Sequence, residues 1–92
     1  MSDQIIVTVS GVDNIGIVAK VTATMAQYTV NIEDIKQTLM QGHFVMFMLC
    51  ETSETTVTFK ELKNALIEEG TKFQVNIWVQ KKGIFEKMHT IS

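Results

Sequence analysis

The order in which hydrophobic periodicity switches along this chain constrains its fold more than any other feature. Segment Gln4–Ser10 (QIIVTVS) is β-branched and bounded by Gly11, the pattern of a strand. Ile5, Val7 and Val9 fall on one face, and Ile6, Thr8 and Ser10 on the other. A loop follows, then a helical stretch to about Tyr28. There Ile15, Val18, Ala19, Thr22, Met25 and Ala26 keep the i, i+3, i+4, i+7 spacing of a buried stripe. Asn31–Met40 and His43–Glu51 read as two strands joined by a hairpin at Gln41-Gly42, and polar Asn31–Asp34 suits an irregular beginning to the first. Thr58-Phe59-Lys60-Glu61 is a capping box, flanked by a Val57–Leu62 hydrophobic staple. Phe59, Leu62, Ala65 and Leu66 give that helix its apolar face, and Gly70 fits the position just past its end. Phe73–Gln80 alternates once more and reads as the last strand.

The resulting order is βαββαβ, two βαβ halves split by a hairpin. It implies an α/β (α+β) ferredoxin-like sandwich: a four-stranded antiparallel sheet with two helices on one face. A chain of 92 residues has room for one such domain, here 1–80, followed by an amphipathic C-terminal tail, 81–92, carrying Ile84, Phe85, Met88 and Ile91. Phe44–Cys50 (FVMFMLC) is apolar on both faces, and Ile6 and Trp78 fall on the side away from the helices. Either the tail folds back over its own sheet, or the open face, tail or strand edge meets a second subunit. A homodimer is expected, because so small a domain gains much from the extra burial.

The charges narrow the function. All eight basic residues are Lys against ten acidic ones, for a net charge of −2, and no Arg is present. Nucleic-acid binding needs a basic surface, and phosphate chemistry of the acylphosphatase kind needs an Arg-bearing loop, so neither is expected. One Cys and two separated His make no metal-ligand spacing, and no catalytic Ser–His–Asp or Cys–His set can be assembled. The expectation is a protein that is no enzyme and carries no metal or cofactor. No apolar run reaches the ~18–20 residues that span a bilayer, and no signal segment opens the chain. With a single Cys50, this points to a cytoplasmic protein without membrane contact. Cys50 itself reads as a buried small hydrophobe, His43 as an exposed residue, and Glu68-Glu69 as facing solvent.

The most informative segment is Gly11-Val12-Asp13-Asn14-Ile15-Gly16-Ile17-Val18, a glycine-bearing turn running into a helix. A helix N-terminus presents unpaired N–H groups and partial positive charge, which suits a carboxylate. Asp13 would repel a simple anion but would accept the ammonium of a zwitterion such as an amino acid. On spacing alone, Asp13 or Asn14 could equally cap the helix while Gly16 permits packing. The string G-x-D-x-x-G-I-V-A-x-V, followed by N-I-x-D-I-x-Q from Asn31 to Gln37, resembles the ACT domain family. It is most similar to short bacterial proteins made of one ACT domain with a short tail. The ACT domains of the glycine cleavage repressor and of formyltetrahydrofolate deformylase look like its wider relatives. That resemblance, over residues 4 to about 88, implies a regulatory module that binds a small amino acid at a dimer interface. It places ligand contacts at Asp13, Asn14, Ile15, Gly16, Ile17 and Asn31: backbone N–H of Gly16 and Ile17 for the carboxylate, Asp13 for the ammonium, and Asn31 as donor and acceptor. Ile15 stands where many members carry Pro, and Asp13 where some serine-binding members carry His, so the amino acid is not named. The alternative function is a ligand-free adaptor that docks a partner through the open sheet face or tail.

Overall fold

The computed structural model describes residues 4–12 and 15–83; the tail from Ile84 onward, with Asp13 and Asn14, lies outside the described residues. The elements run β1 (Gln4–Val12), α1 (Ile15–Gln27), β2 (Asn31–Met40), β3 (His43–Glu51), α2 (Phe59–Phe73) and β4 (Asn76–Lys81). The strands form one sheet in the order β2-β3-β1-β4, with every neighbouring pair antiparallel. This is the expected ferredoxin-like fold. Among the described residues no helix is long and apolar enough to cross a membrane.

Alternation decides which side of the sheet meets the helices. Ile5, Val7 and Val9 of β1, Phe44, Met46, Met48 and Cys50 of β3, and Ile77 and Val79 of β4 are buried under α1 and α2. The opposite residues look away from the helices, and there Phe47 and Trp78 stay 41% and 50% exposed. The β2–β3 hairpin turns on two positive-φ residues, Gln41 (φ 52°) and Gly42 (φ 79°), as a two-residue primed turn requires. The polar beginning of β2 carries a register shift between Ile32 and Asp34, so the irregularity expected there is a bulge.

Three details differ from the sequence reading. The buried stripe of α1 is Ile17, Val21, Thr24 and Met25, whereas Ala19 and Ala26 are exposed. Both stripes fit the helical period, and burying the branched Ile17 and Val21 removes more apolar surface than burying alanines. Gly70 does not end α2 but lies inside it, because a Cβ there would come within 2.9 Å of the Val75 carbonyl oxygen and of Ile77 Cγ1. The helix runs on to Phe73 and closes on Gln74 at φ 60°, with Gln74 N–H donating to Thr71 O and Val75 N–H to Gly70 O. The last strand therefore starts at Asn76 rather than Phe73. Third, Glu69 is not solvated like its neighbour Glu68. The Thr24 hydroxyl donates to Glu69 Oε2 at 2.6 Å and ties α1 to α2.

At the other end of α2 the capping residue is as expected. The Thr58 hydroxyl accepts from Glu61 N–H at 3.1 Å and donates to Glu61 Oε1 at 3.1 Å. Thr58→Ala should cost about 1 kcal/mol of unfolding free energy, measured as a lowered denaturant midpoint at unchanged slope. A variant as stable as the parent would mean that the first turn of α2 does not depend on this cap.

Candidate functional site

The two groups of candidate residues sit at opposite ends of the sheet. Gly16 and Ile17 lie in the first turn of α1, just after β1 ends at Val12, which pairs with His43. Asn31 opens β2 and pairs with Glu51, which also pairs with Gln4 at the start of β1. The nine residues of β1 span roughly 25–30 Å between these ends. The 13 residues of α1 cover ~20 Å of the return path. One small molecule cannot touch both groups of a single chain.

At the α1 end, backbone and side chain have separate tasks. The Ile17 side chain is fully buried in the core, so only its main chain is positioned to meet a ligand. The first turn of α1 contains no acidic side chain, so nothing within it offsets the positive end of the helix dipole. Asp13 and Asn14, which precede it, lie outside the described residues, and Ile15 is placed as the first residue of the helix. Gly11, three residues before Asn14, sits where a Cβ would fall 2.8 Å from Val75 Cγ1, so its smallness serves packing against the chain leading into β4.

The Asn31 end is a cavity of about 410 Å³ lined by Thr29, Val30, Asn31, Glu51 and Glu54. The end of α1 shapes it. Thr29 N–H donates to Ala26 O and Val30 N–H to Met25 O, with Thr29 at φ 58°. A β-branched residue in that region is strained, and such strain gathers where a chain holds a functional shape. Glu51 accepts from both the main-chain N–H and the hydroxyl of Ser53, which hold its carboxyl below the usual carboxylate range. It is therefore ionised at neutral pH, and the little stability it contributes is lost as pH falls through that lowered value. Glu51 and Glu54 were not singled out from the sequence. Their signal, two acids three apart at the end of a strand, is too common to stand out.

His43 is exposed, and its Nε2 lies 3.2 Å from Ser10 Oγ. Among the described residues no three His, Cys, Asp or Glu side chains gather to hold a metal ion. Burial, and secondarily the charge of Glu33, push the Cys50 thiol up to about 12. As a protonated, buried thiol it should resist a colorimetric disulfide reagent in the native protein and react fully in denaturant. Rapid labelling without denaturant would contradict its placement in the core.

Comparison with known proteins now decides the family: the ACT domain family model matches residues 3–80. The chain belongs to the ACT domain family. A UPF0237 protein of Listeria innocua is 43% identical over 86 residues, covering 94% of this chain and 97% of its own. Among solved structures, an ACT domain protein from Streptococcus pneumoniae superposes with a TM-score of 0.78 at 32% identity over the whole of both chains. A putative glycine cleavage system transcriptional repressor shares the fold at a TM-score of 0.77 and 20% identity, covering 89% of this chain and 47% of that chain. ACT domains are typically regulatory modules that bind amino acids, and family membership points to a regulatory rather than a catalytic protein.

Proposed function

We propose that this ACT domain binds a small amino acid between two of its own copies and transmits occupancy through assembly. The observation that carries the reading is the placement of two complementary half-sites at opposite ends of one chain. The α1 N-terminus offers main-chain N–H groups and positive potential to a carboxylate, and Asp13 and Asn14 immediately precede it in sequence. The cavity at Asn31 offers an amide together with Glu51 and Glu54, which suit an ammonium.

The strand order supports how two copies would join the halves. Among the described residues β2 is an edge strand whose outer edge meets no other strand, and that edge can pair with the same edge of another copy. A two-fold axis beside β2 lays its Asn31 end alongside the partner's Met40 end. That is also the end where β3 begins at His43 and where β1 ends at Val12, shortly before α1. Two equivalent sites per dimer follow. The ligand contacts are Asp13, Asn14, Ile15, Gly16 and Ile17 from one chain and Asn31 from its partner, to which Glu51 and Glu54 are added.

Exposure of Phe47 and Trp78 favours a second reading, a ligand-free adaptor. Thermal unfolding in the presence of each of the twenty amino acids separates the two. The sensor reading expects at least one to raise the midpoint, whereas no response at millimolar concentration would leave the adaptor.

A further inference from the structure

Two ranks of side chains cross the open face of the sheet. In the first, Asp34, Leu49, Ile6 and Gln80 stand side by side, as the strand register requires. The second holds Lys36, Phe47, Thr8 and Trp78 in the same strand order. Ile6, Asp34, Lys36, Phe47 and Leu49 enclose a shallow groove of about 230 Å³. Beyond these ranks the face carries Ser10, Val45 and Asn76 at one end, with the exposed Val12 past them, and Gln4 and Glu51 at the other. An apolar, aromatic centre flanked by polar side chains is a common anatomy of a protein interface.

The two ranks are complementary to each other. We propose that this face docks on the same face of a second copy of the chain, about a two-fold axis that crosses the strands between the ranks. That axis runs above Ile35, Met48, Val7 and Val79, the inward-facing rank between them. It sets Asp34 opposite Lys36 of the partner subunit, and Lys36 opposite Asp34 of the partner subunit. Leu49 then meets Phe47 of the partner subunit, and Ile6 meets Thr8 of the partner subunit. Each opposite-charge pair occurs twice, because such an interface is self-complementary. An axis along the strands through the middle of the sheet would instead lay Asp34 over Gln80 of the partner subunit and Lys36 over Trp78 of the partner subunit, so the two charges would not face each other. Strands related by the crosswise axis run nearly aligned, the usual arrangement of two stacked sheets ~10 Å apart.

The area is sufficient for a specific contact. Four strands at ~4.8 Å spacing and about six residues at ~3.3 Å rise make a patch near 20 by 20 Å. With side-chain relief, the two faces together bury roughly 1,000 Å², the lower limit for a specific interface. This contact leaves the outer edge of β2 uncovered, so it is compatible with the edge pairing proposed above and does not rest on it.

A charge swap tests it without any ligand. Sedimentation equilibrium would be run on the wild type, on Asp34→Lys, on Lys36→Asp, and on an equal mixture of the two variants. Each variant alone places like charges opposite each other twice, and its self-association through this face should weaken at least 10-fold, halving the particle mass. The mixture should regain the wild-type mass, because every Lys in a mixed pair then faces an acid. That recovery also shows both variants to be folded. Variants that associate like the wild type, or a mixture no heavier than its components, would overturn the proposal. So would a chain ending at residue 83 that associates more tightly than the full chain, since the tail would then be the occupant of the face.

Discussion

Ile17→Ala is expected to cost about 2–5 kcal/mol of unfolding free energy, because the side chain is fully buried and the surrounding core cannot collapse around the lost atoms. For a domain of this size, each kcal/mol is worth ~4–8 °C, so the melting temperature should fall by at least ~8 °C. Ile17→Val, which keeps the branch point, should cost only about 0.5–1.5 kcal/mol. The pair separates packing from binding at a residue whose main chain belongs to the proposed site. The Val variant should keep ligand affinity, since no side-chain atom of Ile17 faces the ligand. A small loss for the Ala variant would mean that the first turn of α1 is not packed against the sheet.

The second large effect runs in the opposite direction. An amino acid that binds only the folded, paired state stabilises it by about 2.7 kcal/mol per site at 100 times its Kd. The corresponding rise in melting temperature is ~10–20 °C. With the proposed site, whose half-sites come from two different chains, the same ligand should tighten self-association through the β2 edge. A ligand that raised the melting temperature while leaving the association constant unchanged would place the site within one chain.

The sequence made the fold legible because its local signals agree with one another. The strand alternation, the Gln41-Gly42 turn and the Thr58–Glu61 cap each select the element that the structure contains. It misplaced features that depend on contacts across the fold. Gly70 looks like a helix terminator locally, but its role is set by Val75 and Ile77, which reach it only after β4 has docked. The face of α1 was ambiguous because two stripes share one period, and packing against α2 and the sheet chose between them. Glu69 is drawn inward by Thr24, 45 positions away in sequence. The candidate site was half legible. A turn leading into a helix is a local pattern, whereas the acidic cavity at Asn31 assembles from the end of α1, the end of β3 and the loop beyond it.

The most direct test of the account is complementation between two damaged chains. Asp13→Ala and Asn31→Ala would each be titrated with the amino acid that stabilises the wild type, alone and after mixing under conditions that allow subunits to exchange. Alone, each variant carries one defect in both sites of its dimer and should bind at least 10-fold more weakly. In a mixed dimer one site inherits both defects and the other is intact. The account predicts that the mixture regains wild-type affinity at about one quarter of the wild-type stoichiometry, the share of intact sites after random pairing. A mixture that binds no better than its two components would contradict a site built from two chains.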